Sequence, residues 1–167
     1  MNDSQQKKSA IIAGMAPGFG AAIAKTLIAD GYNVYGLSRK SSLEGEDLGA
    51  SYTHLPYDLS DQARVEKAIE LIDGQDGPAT VLIYNAMQLI PKPFLELTPE
   101  EFQASWVSTC FGAMITARAV LPGMVSAGSG TVIFTGATAG DPKPRNASTS
   151  RKKIVSTLTR SRRPICS

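Results

Sequence analysis

Seven residues, Gly14-Met15-Ala16-Pro17-Gly18-Phe19-Gly20, stand between a short apolar run, Ser9 to Ala13, and an alanine-rich segment running from Gly18 to Asp30. The run reads as a strand and the segment as a helix that Gly31 ends. A strand passing through a glycine turn straight into a helix is the setting a dinucleotide loop requires. Glycine tolerates positive φ and lets the backbone approach a pyrophosphate. The helix then turns its N–H groups and positive pole toward the phosphates. The spacing is G-x-x-x-G-x-G, not the commoner G-x-G-x-x-G. A glycine-rich turn that holds no ligand has the same outline. Gly14, Pro17, Gly18, Phe19 and Gly20 are the first candidates for cofactor contact.

The rest of the chain repeats the alternation. Strands are expected at Asn33–Leu37, Ser51–Leu55, Thr80–Tyr84 and Thr131–Thr135. A helix from Asp61 to Ile72 places Val65, Ile69 and Ile72 on one face, with Ser60 as its N-cap. Thr98-Pro99-Glu100-Glu101 opens a long helix, expected over 99–127, with a cap, a proline at the first position and acids at the positive pole. This pattern predicts an α/β fold, a doubly wound parallel sheet of Rossmann type with five strands. No sixth strand is visible, although a complete two-halved nucleotide fold has at least six.

The composition changes after Gly140. Fourteen of the fifteen acids lie in residues 1–140, whereas eight of the seventeen bases lie in 141–167. Residues 1–140 are therefore read as the dinucleotide-binding domain. Residues 141–167 read as a basic, divergent tail with one short helical face at Ile154, Val155 and Leu158. Such a tail reads as a solvated end, and nucleic acid is not expected as a partner. Lys7 and Lys8 ahead of the charge-free stretch Ala10 to Ala24 give the outline of a signal peptide. Pro17 and the glycines break that stretch where an apolar helix must be continuous. No other stretch reads as a membrane span, and a cytoplasmic protein is expected. Two cysteines, Cys110 and Cys166, make neither a metal set nor a disulfide framework, and no metal site is expected. Cys110 is expected in the core, and His54 as a surface or hydrogen-bonded residue rather than a catalyst.

The second strand ends Gly36-Leu37-Ser38-Arg39-Lys40, and no acid occurs between Asp30 and Glu44. An acid in this place accepts a bond from the ribose 2′-hydroxyl of NAD, while arginine accommodates the 2′-phosphate of NADP. Arg39 and Lys40 thus predict NADP(H) in preference to NAD(H), and Ser38 beside them is a further candidate for cofactor contact. These features together resemble the short-chain dehydrogenase/reductase family. Gly14, Gly18 and Gly20 match its glycine spacing. Asp58 and Leu59, in Tyr57-Asp58-Leu59-Ser60-Asp61, match its adenine-contacting segment. Asn85 and Ala86, in Tyr84-Asn85-Ala86-Met87, match its Asn-Asn-Ala-Gly motif. Phe102 to Met124 resembles its long helix, and Gly130 to Thr138 its fifth strand.

The resemblance implies hydride transfer between a nicotinamide cofactor and a small carbonyl or alcohol substrate. It also implies a catalytic Tyr, a Lys four residues later, a Ser after strand five and an Asn in the long helix. This chain has Ser148 at the Tyr position, Lys152 at the Lys position, Ala137 at the Ser position and Thr109 at the Asn position. A one-residue slip would exchange Lys152 for Lys153. The pattern looks like a branch of the family that lacks the Tyr. Three readings follow: an NADP(H)-dependent oxidoreductase, an NADP(H)-binding sensor or partner subunit without turnover, and a truncated or frameshifted fragment. Trp106, Val107, Cys110, Phe111, Met114 and Ile115 make the long helix too broadly apolar for one sheet, so it is expected to pair with a second copy.

Overall fold

The computed structural model describes residues 8–40, 43, 47–137 and 152–157. In chain order the elements are β1 (Ser9–Ala13), α1 (Phe19–Ala29), β2 (Asn33–Leu37), β3 (Tyr52–Leu55), α2 (Gln62–Asp76), β4 (Val81–Tyr84), α3 (Pro99–Trp106), α4 (Gly112–Ser126), β5 (Thr131–Ala137) and β6 (Lys152–Thr157). They form one sheet in the order β3-β2-β1-β4-β5-β6. The first five strands are parallel throughout, as the alternation predicts.

Both faces of the sheet are covered, so β1 is buried along its whole length and reads as a continuous apolar run. Ile11, Ala13, Leu37, Leu82 and Tyr84 pack against Val65, Ile69 and Ile72 of α2 and Ile115, Val120 and Met124 of α4. On the opposite face Ala10, Ile12 and Val34 meet Ala21 and Ala24 of α1. The small side chains of α1 let it lie close to the strands.

Four expectations are corrected. The tail segment expected as a helical face is a strand: β6 pairs antiparallel with β5, from Val132 opposite Thr157 to Ala137 opposite Lys152. Ile154, Val155 and Thr157 are β-branched, which disfavours a helix and suits a ladder. The cap of α2 is Asp61, whose side chain accepts from the Arg64 N–H, and not Ser60. Cys110 is exposed rather than buried in the core. It sits in a π-turn, Val107–Phe111, that joins α3 to α4, on the outward side with Trp106. Through that turn the helix runs unbroken from Pro99 to Ser126, 28 residues, long and apolar enough by length and composition to cross a bilayer. The expectation that no stretch after Ala24 reads as a membrane span is corrected by that length and composition. In the fold its inner face lies on β4 and α2.

Candidate cofactor site

The chain runs outward from β1 through β2 to β3, then returns to place β4 on the other side of β1. Where the strand order reverses, the loops leaving β1 and β4 diverge and open a crevice at the carboxyl ends of the strands. A cavity of about 550 Å³ lies there. Gly14, Met15 and Ala16 follow β1 into its wall; Ser38 and Arg39 follow β2; Tyr57 to Ser60 follow β3; Asn85 to Gln88 follow β4. Ala104, Val107 and Ser108 close it from α3 and the π-turn.

The glycine turn is built from below. The Gly14 and Met15 N–H groups both donate to the Leu37 carbonyl, at 2.8 and 3.2 Å. Gly14 has φ +91°, and a Cβ there would fall on the backbone of Ala86 and Asn85. Its glycine is demanded by the approach of β4, as well as by any ligand. Gly18 differs: it caps α1 at φ +80° with no side-chain cap bond, and nothing stands within 4 Å of where its Cβ would be. The positive pole of α1 is therefore open to solvent there, where an anion can approach it.

Asn85 is 7% exposed and ties three strands together at the cavity floor. Its Nδ2 donates to the Gly14 carbonyl at 3.2 Å, and its Oδ1 accepts from Thr135 Oγ1 at 2.9 Å. Asp58 Oδ1 accepts from the Ser60 N–H at 2.9 Å and the Ser60 hydroxyl at 2.7 Å. These bonds, chiefly that from the backbone, hold its carboxyl below the usual range; burial opposes them, and the Arg39 and Arg64 charges add a smaller effect. The carboxylate is thus ionised and an acceptor.

Of the expected cofactor residues, Gly14, Ser38, Arg39, Asp58, Leu59, Asn85 and Ala86 come together in this one cavity. Pro17, Gly18, Phe19 and Gly20 do not line it; Pro17 and Gly18 are exposed at the turn, and Gly20 is buried against Met15. Thr109 lies one residue beyond the wall, where its Oγ1 accepts from the Gln88 N–H at 3.5 Å. Ser148 is outside the described residues. Lys152 begins β6 opposite Ala137. Met15, Ala16, Tyr57, Ser60, Met87, Gln88, Ala104, Val107 and Ser108 also line the cavity, beyond the expected set. The first five lie inside the recognised motifs and Gln88 adjoins one, whereas Ala104, Val107 and Ser108 carry no signal beyond helical periodicity. His54 was expected to be exposed or hydrogen-bonded. Its Nδ1 meets the Tyr52 hydroxyl at 3.2 Å, while its Nε2 is enclosed without a partner.

A crevice at the reversal of strand order, walled mostly by loops leaving the strands, is what a dinucleotide-binding α/β protein presents. The model of the short chain dehydrogenase family matches residues 8–163. The chain belongs to that family, which uses NAD(P) dinucleotides and acts in oxidation and reduction. It is 34% identical over 128 residues to a 3-ketodihydrosphingosine reductase of Bacteroides thetaiotaomicron, covering 77% of this chain and 46% of that protein. It is 28% identical over 134 residues to an NADP-dependent 3-hydroxy acid dehydrogenase of Salmonella typhi, covering 78% of this chain and 54% of that protein. A short-chain dehydrogenase structure from Streptomyces avermitilis superposes with a TM-score of 0.70 at 28% identity, over 75% of this chain and 48% of the other. The chain spans about half the length of these relatives.

Proposed function

We propose that this chain binds NADP(H) in preference to NAD(H), as the cofactor-holding part of an oxidoreductase acting on carbonyl or alcohol groups. The observation that carries the reading is Arg39, exposed at the end of β2 and lining the cavity, with Lys40 beside it and no acid from Gly31 to Leu43. A guanidinium there meets a 2′-phosphate through paired charge-assisted bonds. Asp58 and Leu59 would hold the adenine end, Asn85 and Ala86 the middle of the cofactor, and the glycine turn at the start of α1 the pyrophosphate. The cofactor would give the hydride to a carbonyl in its reduced form or take it from an alcohol in its oxidised form. Two relatives named above, a keto reductase and an NADP-dependent hydroxy acid dehydrogenase, support this substrate class.

What the chain's own residues offer to proton transfer is small. Ala137 has no donor to polarise a carbonyl, Thr109 replaces the amide of the long helix, and Ser148 replaces a phenol. Lys152 is the one remaining candidate from the family's catalytic set. This depletion favours a second reading, NADP(H) binding without turnover, over efficient catalysis. We assign the binding unit to residues 1–140, place the protein in the cytoplasm with no membrane or nucleic-acid partner, and assign a two-fold pairing to the 99–127 helix. On that helix Trp106 and Met114 are each about half exposed, at 48% and 49%. A fragment with no function of its own is the third reading.

Fluorescence titration with NADPH and NADH tests the proposal. NADPH should bind more tightly by about 1.5–3 kcal/mol, the worth of bonds to a charged group. Arg39→Asp should erase most of that difference. Equal affinities, or tighter NADH, refute the preference. No binding of either by a cooperatively folded chain refutes the reading itself.

A further inference from the structure

Tyr84 stands where the family's motif has its first Asn, and no role has been given to it. It ends β4, is 3% exposed, and is directed at the helix rather than at the cavity. Its hydroxyl donates to the Ser108 carbonyl at 2.5 Å. Ser108 lies inside the π-turn, where the Gly112 N–H reaches back five residues to the Val107 carbonyl. When such a turn returns to the ordinary four-residue pattern, one carbonyl is left outside the helix ladder, and a partly buried carbonyl needs a donor. Tyr84 supplies it. Gly112 makes the room: a Cβ there would collide with the Tyr84 hydroxyl and press on the Leu59 carbonyl. The phenol is therefore wedged between the helix and the Tyr57–Ser60 segment.

We infer that Tyr84 is a positioning residue: its hydroxyl latches the π-turn, and the latched turn sets the cavity wall formed by Val107, Ser108 and Leu59. The inference rests on the dinucleotide reading of the cavity, because Leu59 belongs to its adenine end. Every part of the latch is a backbone or hydroxyl group that must fit within one hydrogen bond. Tyr84 stays a donor at all working pH, since burial, with Cys110 and Asp58 as lesser influences, holds the phenol above its ordinary range.

Tyr84→Phe removes the one oxygen and leaves the ring. Amide hydrogen exchange at residues 107–112 should then become about tenfold faster, with β1 and β2 unchanged, as expected when a partly buried carbonyl loses its donor. Affinity for 2′,5′-ADP, which probes the adenine end alone, should fall several-fold. Unchanged exchange at 107–112 overturns the latch. Faster exchange with unchanged 2′,5′-ADP affinity overturns the positioning role. If the wild-type chain does not bind 2′,5′-ADP, the dinucleotide reading fails, and exchange alone decides the latch. Should Tyr84→Phe not fold, the wild-type proton spectrum serves. A slowly exchanging phenol proton close to the Gly112 α-protons is expected, and its absence overturns the inference.

Discussion

Replacing Asn85 should separate its structural work from that of its neighbours. In Asn85→Ala at least two bonds disappear, from Nδ2 to the Gly14 carbonyl and from Thr135 Oγ1 to Oδ1. A typical intramolecular bond contributes about 0.5–1.5 kcal/mol net. Thr135 keeps an alternative acceptor, the Tyr84 carbonyl at 3.3 Å, so it is not orphaned. The Gly14 carbonyl loses this amide, but Asn85 lines the cavity and water can enter behind it. The expected loss is therefore about 2 kcal/mol, not the full penalty of two orphaned groups. Asn85→Asp should be worse. The acid still accepts from Thr135 but offers an oxygen, not an N–H, to Gly14. Urea unfolding measures both variants, with a lower midpoint and an unchanged slope expected. A loss below about 0.5 kcal/mol for Asn85→Ala, or an Asp variant more stable than the Ala variant, would refute this account of the three-strand tie.

Gly14→Ala should cost roughly 2–5 kcal/mol or prevent folding, since it combines positive φ with a Cβ set against Ala86; a variant as stable as wild type in urea would contradict this. His54 is the only histidine, and desolvation, its chief influence, lowers its pKa below 6.5 in the fold. The unfolded chain then binds more protons just below 6.5, so stability should fall as pH drops through that value, and His54→Gln should flatten the slope in that window. Light scattering at micromolar concentration should show a dimer, and Trp106→Glu should return it to monomer; a wild-type monomer contradicts the pairing. In an NADPH-oxidation assay over ketones, aldehydes and quinones the chain should turn over far more slowly than efficient family members, because acid–base groups are worth about 10²–10⁴-fold. Fast turnover abolished by Lys152→Ala would restore the enzyme reading.

The parts that could be read from sequence are those in which local and global demands coincide. The β1–turn–α1 unit shows because apolar strand, glycine and small-residue helix adjoin in the chain, and Asp58 and Asn85 show because each follows a strand closely. The π-turn did not show. Adding one residue to a helical turn changes which face Cys110 occupies without changing the composition of Val107–Phe111. The Tyr84 latch did not show either, because it joins residues 24 apart and depends on a missing Cβ at Gly112. Strand β6 was read as a helix since Ile154, Val155 and Leu158 satisfy helical spacing, and only pairing with β5 selects the extended form.

Position along the chain separates binding from turnover. Among the described residues, those lining the cavity lie between Gly14 and Ser108, on the loops that follow β1 to β4 and on α3 and the π-turn. The positions that the resemblance assigns to proton transfer after the long helix, Ala137, Ser148 and Lys152, follow that group in the chain. The first group depends on core packing centred on β1 to β4, α1, α2 and α4, to which β5 adds Val132 and the bond from Thr135 to Asn85. Arg39 takes no part in that packing. Arg39→Asp should for that reason alter NADPH affinity while leaving the urea midpoint unchanged, since Arg39 is exposed and lies outside both core clusters. A parallel loss of affinity and stability in that variant would show that the two halves of the chain are not separable.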